Sequence, residues 1–274
     1  MIGQRCVQQQ IKSEIEARAL ARFIILVGDT GSGRKTLAKE IAKWTDAECV
    51  IVDKGVDAIR EVIEQCYKIS SNVLYVLDGD NMSNASKSAL LKVTEEPPNK
   101  ARFVLTVTDV EQTLPTLTSR ARVFRMNVYT DTDIAYFAGT EDIRFPSYCT
   151  NKYEVDLLKK YGIDEFTNFV ELVVDNVAEV SGANSFKLEE KIALKNEDDK
   201  YDMKIFLQAF RIVCMKRIQS SEAYYDRHIY IKWIYITTEI LGTLRLATIN
   251  KTALFDKWIL DIREAFLNAD SQKG

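Results

Sequence analysis

The stretch FIILVGDTGSGRKT, residues 23–36, decides the fold. Its first five residues are apolar and rich in branched side chains, which reads as a buried strand. A glycine-rich turn follows, Gly28-Asp29-Thr30-Gly31-Ser32-Gly33, and then Arg34-Lys35-Thr36 open a segment with helical spacing at Leu37, Ile41 and Trp44. Strand, glycine-rich turn and helix form the context in which backbone amides and a helix amino end cradle phosphate. The Gly28-x4-Gly33 spacing fits a phosphate-binding loop. The next two positions do not: the motif expects Lys then Ser or Thr, and here stand Arg34 and Lys35, with Thr36 one place late. In such loops the hydroxyl is a direct Mg²⁺ ligand. An ammonium has donors only, so Lys35 cannot replace it.

Working outward, four more short apolar runs recur: CVIV at 49–52, VLYVL at 73–77, FVLTV at 103–107 and VFRM at 123–126. Helical spacing separates them, at Val56, Ile59, Val62, Ile63 and Cys66, and at Ala89, Leu90 and Val93. Strands alternating with helices imply a parallel sheet joined by right-handed crossovers. Residues 1–127 therefore read as a three-layer α/β domain. The 73–77 run ends in Asp78-Gly79-Asp80, an apolar strand closing on acids that can hold Mg²⁺. No Glu stands beside either acid to orient a water.

The segment Ala89-Leu90-Leu91-Lys92-Val93-Thr94-Glu95-Glu96-Pro97-Pro98 resembles the ALLKxLEEPP signature of clamp-loader AAA+ subunits, and Leu114-Pro115-Thr116-Leu117-Thr118-Ser119-Arg120 resembles the LPxTIxSRC element of that family. The elements stand in the family's order. The resemblance covers residues 1–127 firmly and the remainder only in general layout. It implies an AAA+ three-layer P-loop domain at 1–127, a small helical lid at 128–194 and an all-α collar at 195–274. Within the family the chain looks most like the delta-prime subunit, phage-encoded versions included, which typically has a broken ATP site and keeps the arginine. Aligned from ALLK, Asp78 takes the catalytic Glu position; aligned from the strand, it takes the metal-binding Asp position. Both readings lose or weaken one acid. Ala121 replaces the family's cysteine, and the bacterial delta-prime zinc module has no counterpart.

By that resemblance Arg120 is an arginine finger, reaching a neighbouring subunit's γ-phosphate. Fingers of this kind contribute about 10³–10⁵ in rate. Thr108, or Thr106, ends the strand where a γ-phosphate sensor would sit. Glu95-Glu96-Pro97-Pro98 reads as a helix end, since proline cannot continue a helix. Lys87, Lys92, Lys100 and Arg102 gather around that element in sequence and could face DNA phosphates or simply water.

After Pro146 there is no proline, and only four glycines remain, so long helices are expected. Leu157, Leu158, Phe166, Phe169, Val170 and Val173 suit a small helical unit. KNEDDKYD at 195–202 reads as a linker or exposed turn. Three apolar patterns follow, starting at Ile205, Ile229 and Leu254. Tyr224, Tyr225, Tyr230, Trp233 and Tyr235 read as collar core or interface.

Composition narrows the function classes. The 274 residues are 46% hydrophobic and carry a net charge of -3, which excludes whole-chain disorder and a basic DNA-coating protein. No uncharged apolar run reaches membrane-spanning length, and the opening residues lack a signal-peptide core. Five scattered cysteines and a single histidine, His228, argue against a disulfide framework, a zinc site or a histidine-based triad. His228 reads as structural. A reducing cytoplasm, of a bacterial cell or a phage-infected host, is the expected setting.

The expected function is a non-catalytic or weakly catalytic stator of a sliding-clamp loader in DNA replication. ATP or ADP is the ligand its loop implies, contacted by Gly28, Asp29, Thr30, Gly31, Ser32, Gly33, Arg34, Lys35, Thr36, Asp78 and Thr108, with Mg²⁺ binding in question. Partners would be the other subunits of a hetero-oligomeric ring, the sliding clamp and primer-template DNA, with no membrane. The rival is an ATPase subunit whose loop slips one residue, so that Lys35 and Thr36 take the catalytic places.

Overall fold

The computed structural model describes residues 1–52, 55–177, 188, 191–193, 200–220, 224–244 and 249–270. The chain divides into two compact units, Met1–Asp133 and Ile134–Gly274.

The first unit opens with α1 (Arg5–Glu16), then alternates β1 (Phe23–Val27), α2 (Arg34–Trp44), β2 (Glu48–Ile51), α3 (Val56–Gln65), β3 (Val73–Asp78), α4 (Asn84–Glu95) and β4 (Ala101–Val107), and closes with a short α5 (Pro115–Thr118) and β5 (Arg122–Arg125). The five strands form one sheet in the order β2-β3-β4-β1-β5, and every neighbouring pair is parallel. All five apolar runs are strands, each within two residues of its expected bounds.

β1 is buried along its whole length because the sheet is covered on both faces. Alternate residues of one strand feed different cores. Phe23, Ile25 and Val27 pack with Ile59 and Cys66 on the α3 side and with Leu90 and Val93 of α4. Ile24 and Leu26 pack with Val7 and Ile11 of α1 and with Leu37 and Ile41 of α2. That split is the strand's two-residue period made visible. α4 starts under a Ser83 cap that accepts from the Ser86 N–H, and it ends at Glu95, ahead of Pro97-Pro98 as expected.

The second unit is helical: α6 (Asp131–Ala138, whose first turn belongs to the first unit), α7 (Arg144–Tyr148), α8 (Lys152–Tyr161), α9 (Ile163–Asn176), then α10 (Met203–Ser220), α11 (Tyr224–Thr243) and α12 (Lys251–Asp270). Phe206, Phe210, Trp233, Phe255 and Trp258 form its buried aromatic centre. Trp233 Nε1 donates to the Ile262 carbonyl at 3.0 Å and Trp258 Nε1 to Thr237 Oγ1 at 3.0 Å, so neither indole is buried without a partner. Tyr235 and His228 are exposed on α11, and the side chains of Tyr224 and Tyr225 lie outside the described residues.

One expectation needs correcting. The charged stretch 195–202 is not all linker: residues 195–199 lie outside the described residues, but Tyr201–Asp202 form β7, parallel to β6 (Ile192–Ala193). Tyr201 packs edge-on to Tyr161 and Phe166, and this aromatic contact outweighs the local charge that suggested a solvated turn. Among the described residues no helix is long and apolar enough to cross a membrane.

Candidate functional site

The loop between β1 and α2 lies at the carboxyl edge of the sheet. Gly28 N donates to the Val107 carbonyl of β4 at 3.1 Å, which ties the loop to the neighbouring strand end. Gly31 (φ 84°) and Gly33 (φ 91°) both take left-handed backbone, which only glycine enters freely. Gly33 is the residue from which α2 starts, so Arg34 and Lys35 occupy the helix's first turn. Ser32 Oγ is buried inside the loop and has no hydrogen-bond partner among the described residues.

Four charges meet beside this loop. Arg34 Nη1 lies 2.9 Å from Asp80 Oδ2, with only 11% and 17% of the two side chains exposed. Lys35 Nζ lies 2.8 Å from Asp78 Oδ2. Asp80 is held further by Thr108, whose N–H and Oγ1 donate to Oδ1 at 2.7 and 2.9 Å. Burial works against ionisation of Asp78, but the bond and charge of Lys35, with help from Asn81 and Arg34, outweigh it and hold its carboxyl below the usual carboxylate range. The cations that would meet phosphate are thus bonded to the acids that would meet metal. Thr36 is exposed on α2.

The donor set decides what fits. A loop with Gly28, Gly31 and Gly33 and an orphaned Ser32 hydroxyl suits phosphate oxygens. Mg²⁺ does not fit. The position beside Asp78 that needs an oxygen ligand holds an ammonium, and both carboxylates are committed to cations.

Thr106 and Thr108 separate cleanly. Thr106 is buried within β4 and donates to the Leu77 carbonyl, while Thr108 stands past the strand end at the site. Asp29 and Thr30 are exposed at the loop tip. Arg120 follows α5, away from the loop. Its Nη1 donates to the Thr116 carbonyl at 2.6 Å and its Nη2 to Glu95 Oε1 at 2.8 Å. One of the paired glutamates of the EEPP segment therefore anchors the arginine.

The cations Lys87, Lys92, Lys100 and Arg102 do not make a common face. Lys87 is buried on α4, because its position falls on the helix's core side, and it is not available to DNA. Lys92 is exposed on the same helix, and Lys100 and Arg102 line a cavity at the other edge of the sheet.

Three residues at the loop gave no signal in the sequence. Tyr129 OH donates to the Ser32 carbonyl at 3.0 Å. The Gln4 amide pairs with the Asn127 backbone in both directions at 2.6 Å. Met1 and Tyr129 fill the space beside Gly33, where an added Cβ would sit 2.5 Å from Met1 Cε and 2.7 Å from the tyrosine oxygen. The Gln4 and Tyr129 bonds join positions 123 and 97 residues apart, and no local pattern announces them.

A family profile described as DNA polymerase III, delta subunit, matches residues 45–130. The chain is 30% identical over 169 residues to the DNA polymerase III subunit gamma of Buchnera aphidicola subsp. Schizaphis graminum, covering 50% of this chain and 47% of that one. It is 40% identical over 73 residues to the DNA polymerase III subunit delta' of Escherichia coli, covering 25% and 22%. The chain spans about half the length, or less, of the curated relatives it matches. Among solved structures it superposes on a Thermotoga maritima RuvB mutant with a TM-score of 0.50 at 15% identity, covering 95% of this chain and 88% of that one. That likeness is one of fold: a parallel sheet with helices after it.

Proposed function

These matches support a clamp-loader subunit of the DNA polymerase III family, and from that premise we propose that the chain is a stator of the delta-prime kind, an activator rather than a site of ATP hydrolysis. The observation that carries the proposal is the Lys35–Asp78 ion pair. Where an active loop places a hydroxyl and a metal ion against the acid at the end of β3, this chain supplies its own cation. The second pair, Arg34–Asp80, closes the site further and engages Thr108 through the shared aspartate.

A nucleotide would be held by the amides of residues 28–33, with the Ser32 hydroxyl able to turn toward a phosphate oxygen. The bound group would supply phosphate charge to the start of α2 and no metal-assisted step. Against the slipped register stands the exposure of Thr36 on α2, while Lys35 keeps the acid.

Arg120 is the residue proposed to act, on a neighbouring ATPase subunit of a hetero-oligomeric ring. A guanidinium beside a transferring phosphoryl group stabilises the charge that develops on its oxygens. Glu95 holds that guanidinium near the surface through a half-exposed pair. Such pairs contribute about 0–1 kcal/mol, so a phosphate can displace Glu95 at little cost. The clamp, primer-template DNA and a cytoplasmic setting belong to the same proposal, through the relatives.

The test is ATP turnover by the reconstituted assembly. Arg120→Ala is expected to reduce turnover by a factor of about 10² or more while the assembly forms normally. Lys35→Ala, which breaks only this chain's own site, is expected to leave turnover within about twofold. The reverse pattern would make this chain the ATPase.

A further inference from the structure

The phosphate loop accounts for the carboxyl edge of the sheet, where ligands of open α/β sheets usually bind. At the opposite edge lies a cavity of about 550 Å³ that the proposed function does not use. It opens between the last turns of α1 and α2 and the starting residues of β3 and β4. Arg18, Arg22, Lys100 and Arg102 line it, together with Trp44 and a single acid, Asp46.

None of the four cations has a carboxylate partner among the described residues. Arg22 donates to the Pro98 and Asn99 carbonyls, Lys100 to the Ser70 carbonyl and Arg102 Nε to the Ala21 carbonyl at 3.2 Å. These bonds fix where the heads sit and leave their charge uncancelled. The two Nη atoms of Arg102 and the whole Arg18 head make no hydrogen bond among the described residues.

Charge counting decides the sign of the field. Two helix carboxyl ends contribute about half a negative charge each, and Asp46 contributes one more. Against four full positive charges, about two remain. Burial makes the Arg102 guanidinium easier to deprotonate than usual, and the charge of Arg22 adds to that effect. Arg22 and Arg102 are partly buried, Arg18 and Lys100 are exposed, and Asp46 offsets only part of their charge, so an anion joining them would be favoured.

We propose that this cavity is a second anion site, which takes the phosphate groups of either a free oligophosphate or a nucleic-acid backbone. The cavity size suits a small anion or two or three linked phosphates. The forks of Arg22 and Arg102 match phosphate oxygens, Lys100 adds a point charge, and Trp44 offers an apolar wall.

The experiment measures two probes on the full chain at low salt: sodium tripolyphosphate by calorimetry, and a fluorescein-labelled twelve-nucleotide single strand by anisotropy. Lys100→Gln and Arg18→Gln change exposed side chains and should fold normally. Arg22→Gln combined with Arg102→Gln removes the forks, and its folding is checked by thermal melting. We expect at least one probe to bind, with Kd raised about tenfold by Lys100→Gln and about a hundredfold by the double variant. For the strand, each lost phosphate contact should also lower the salt dependence, by about 0.7 in the slope of log K against log salt. Tripolyphosphate binding that Lys100→Gln weakens identifies the free anion as sufficient. Sensitivity confined to the strand identifies the nucleic-acid backbone. If neither probe binds, or if binding is indifferent to all these substitutions and falls only in Lys35→Ala, the proposal is wrong and the phosphate loop is the sole anion site.

Discussion

At the scale of single residues, Lys35 sets the chemistry of the loop. The sequence shows an ammonium where a hydroxyl is needed. It does not show that the ammonium would fold back onto Asp78, nor that Arg34 would take Asp80, because a side chain's partner depends on the strand that lies beside it in space. Two predictions belong here. Arg34→Ala leaves Asp80 with only its Thr108 bonds in a mostly buried place, and it should cost about 2–4 kcal/mol in denaturant unfolding. An unchanged midpoint would mean that the pair contributes nothing. Asp78 has its folded pKa depressed, so its contribution to stability is present above the ordinary carboxylate value of about 4 and is lost as pH falls through the lower folded value. Asp78→Asn should therefore be less stable than the parent at pH 7, with the gap closing toward pH 3. A gap that stays constant over that range would exclude an ionic role.

At the scale of elements, the legible part was the part written in local pattern. β1 and β3 could be read from runs of five apolar residues because a parallel strand covered on both faces has no polar side to interrupt it. The end of α4 could be read from two prolines. β7 could not be read, since Tyr201 earns its place by touching Tyr161 and Phe166 and its neighbours in sequence are charged. The clamp of Gln4 and Tyr129 on the phosphate loop was equally hidden. The elements also set thiol reactivity. Burial of Cys66 beneath α3 pushes its pKa up to about 11, and burial raises Cys149 and Cys214 further. Cys6 is exposed on α1. Labelling of the native chain at pH 7.5 should modify Cys6 first and Cys49 next, and should reach the other three only on unfolding. Rapid native labelling of Cys66 would mean that α3 opens away from the sheet.

At the scale of the whole molecule, the chain consists of two compact units, each with buried apolar residues, and among the described residues the features of a phosphate site lie in the first. Fold class and family likeness were legible because ALLKVTEEPP, LPTLTSR and the glycine loop occur in one order. The internal neutralisation of the loop was not legible, and the proposed stator role rests on it. With its acids already paired, the proposed site binds nucleotide without using Mg²⁺. The most direct measurement is equilibrium binding of a fluorescent ATP analogue to the purified chain, with Mg²⁺ and with EDTA. Weak affinity, the same in both conditions, is expected. Tight binding that collapses in EDTA would contradict it, and would mean that Lys35 releases Asp78 to a metal ion when nucleotide arrives.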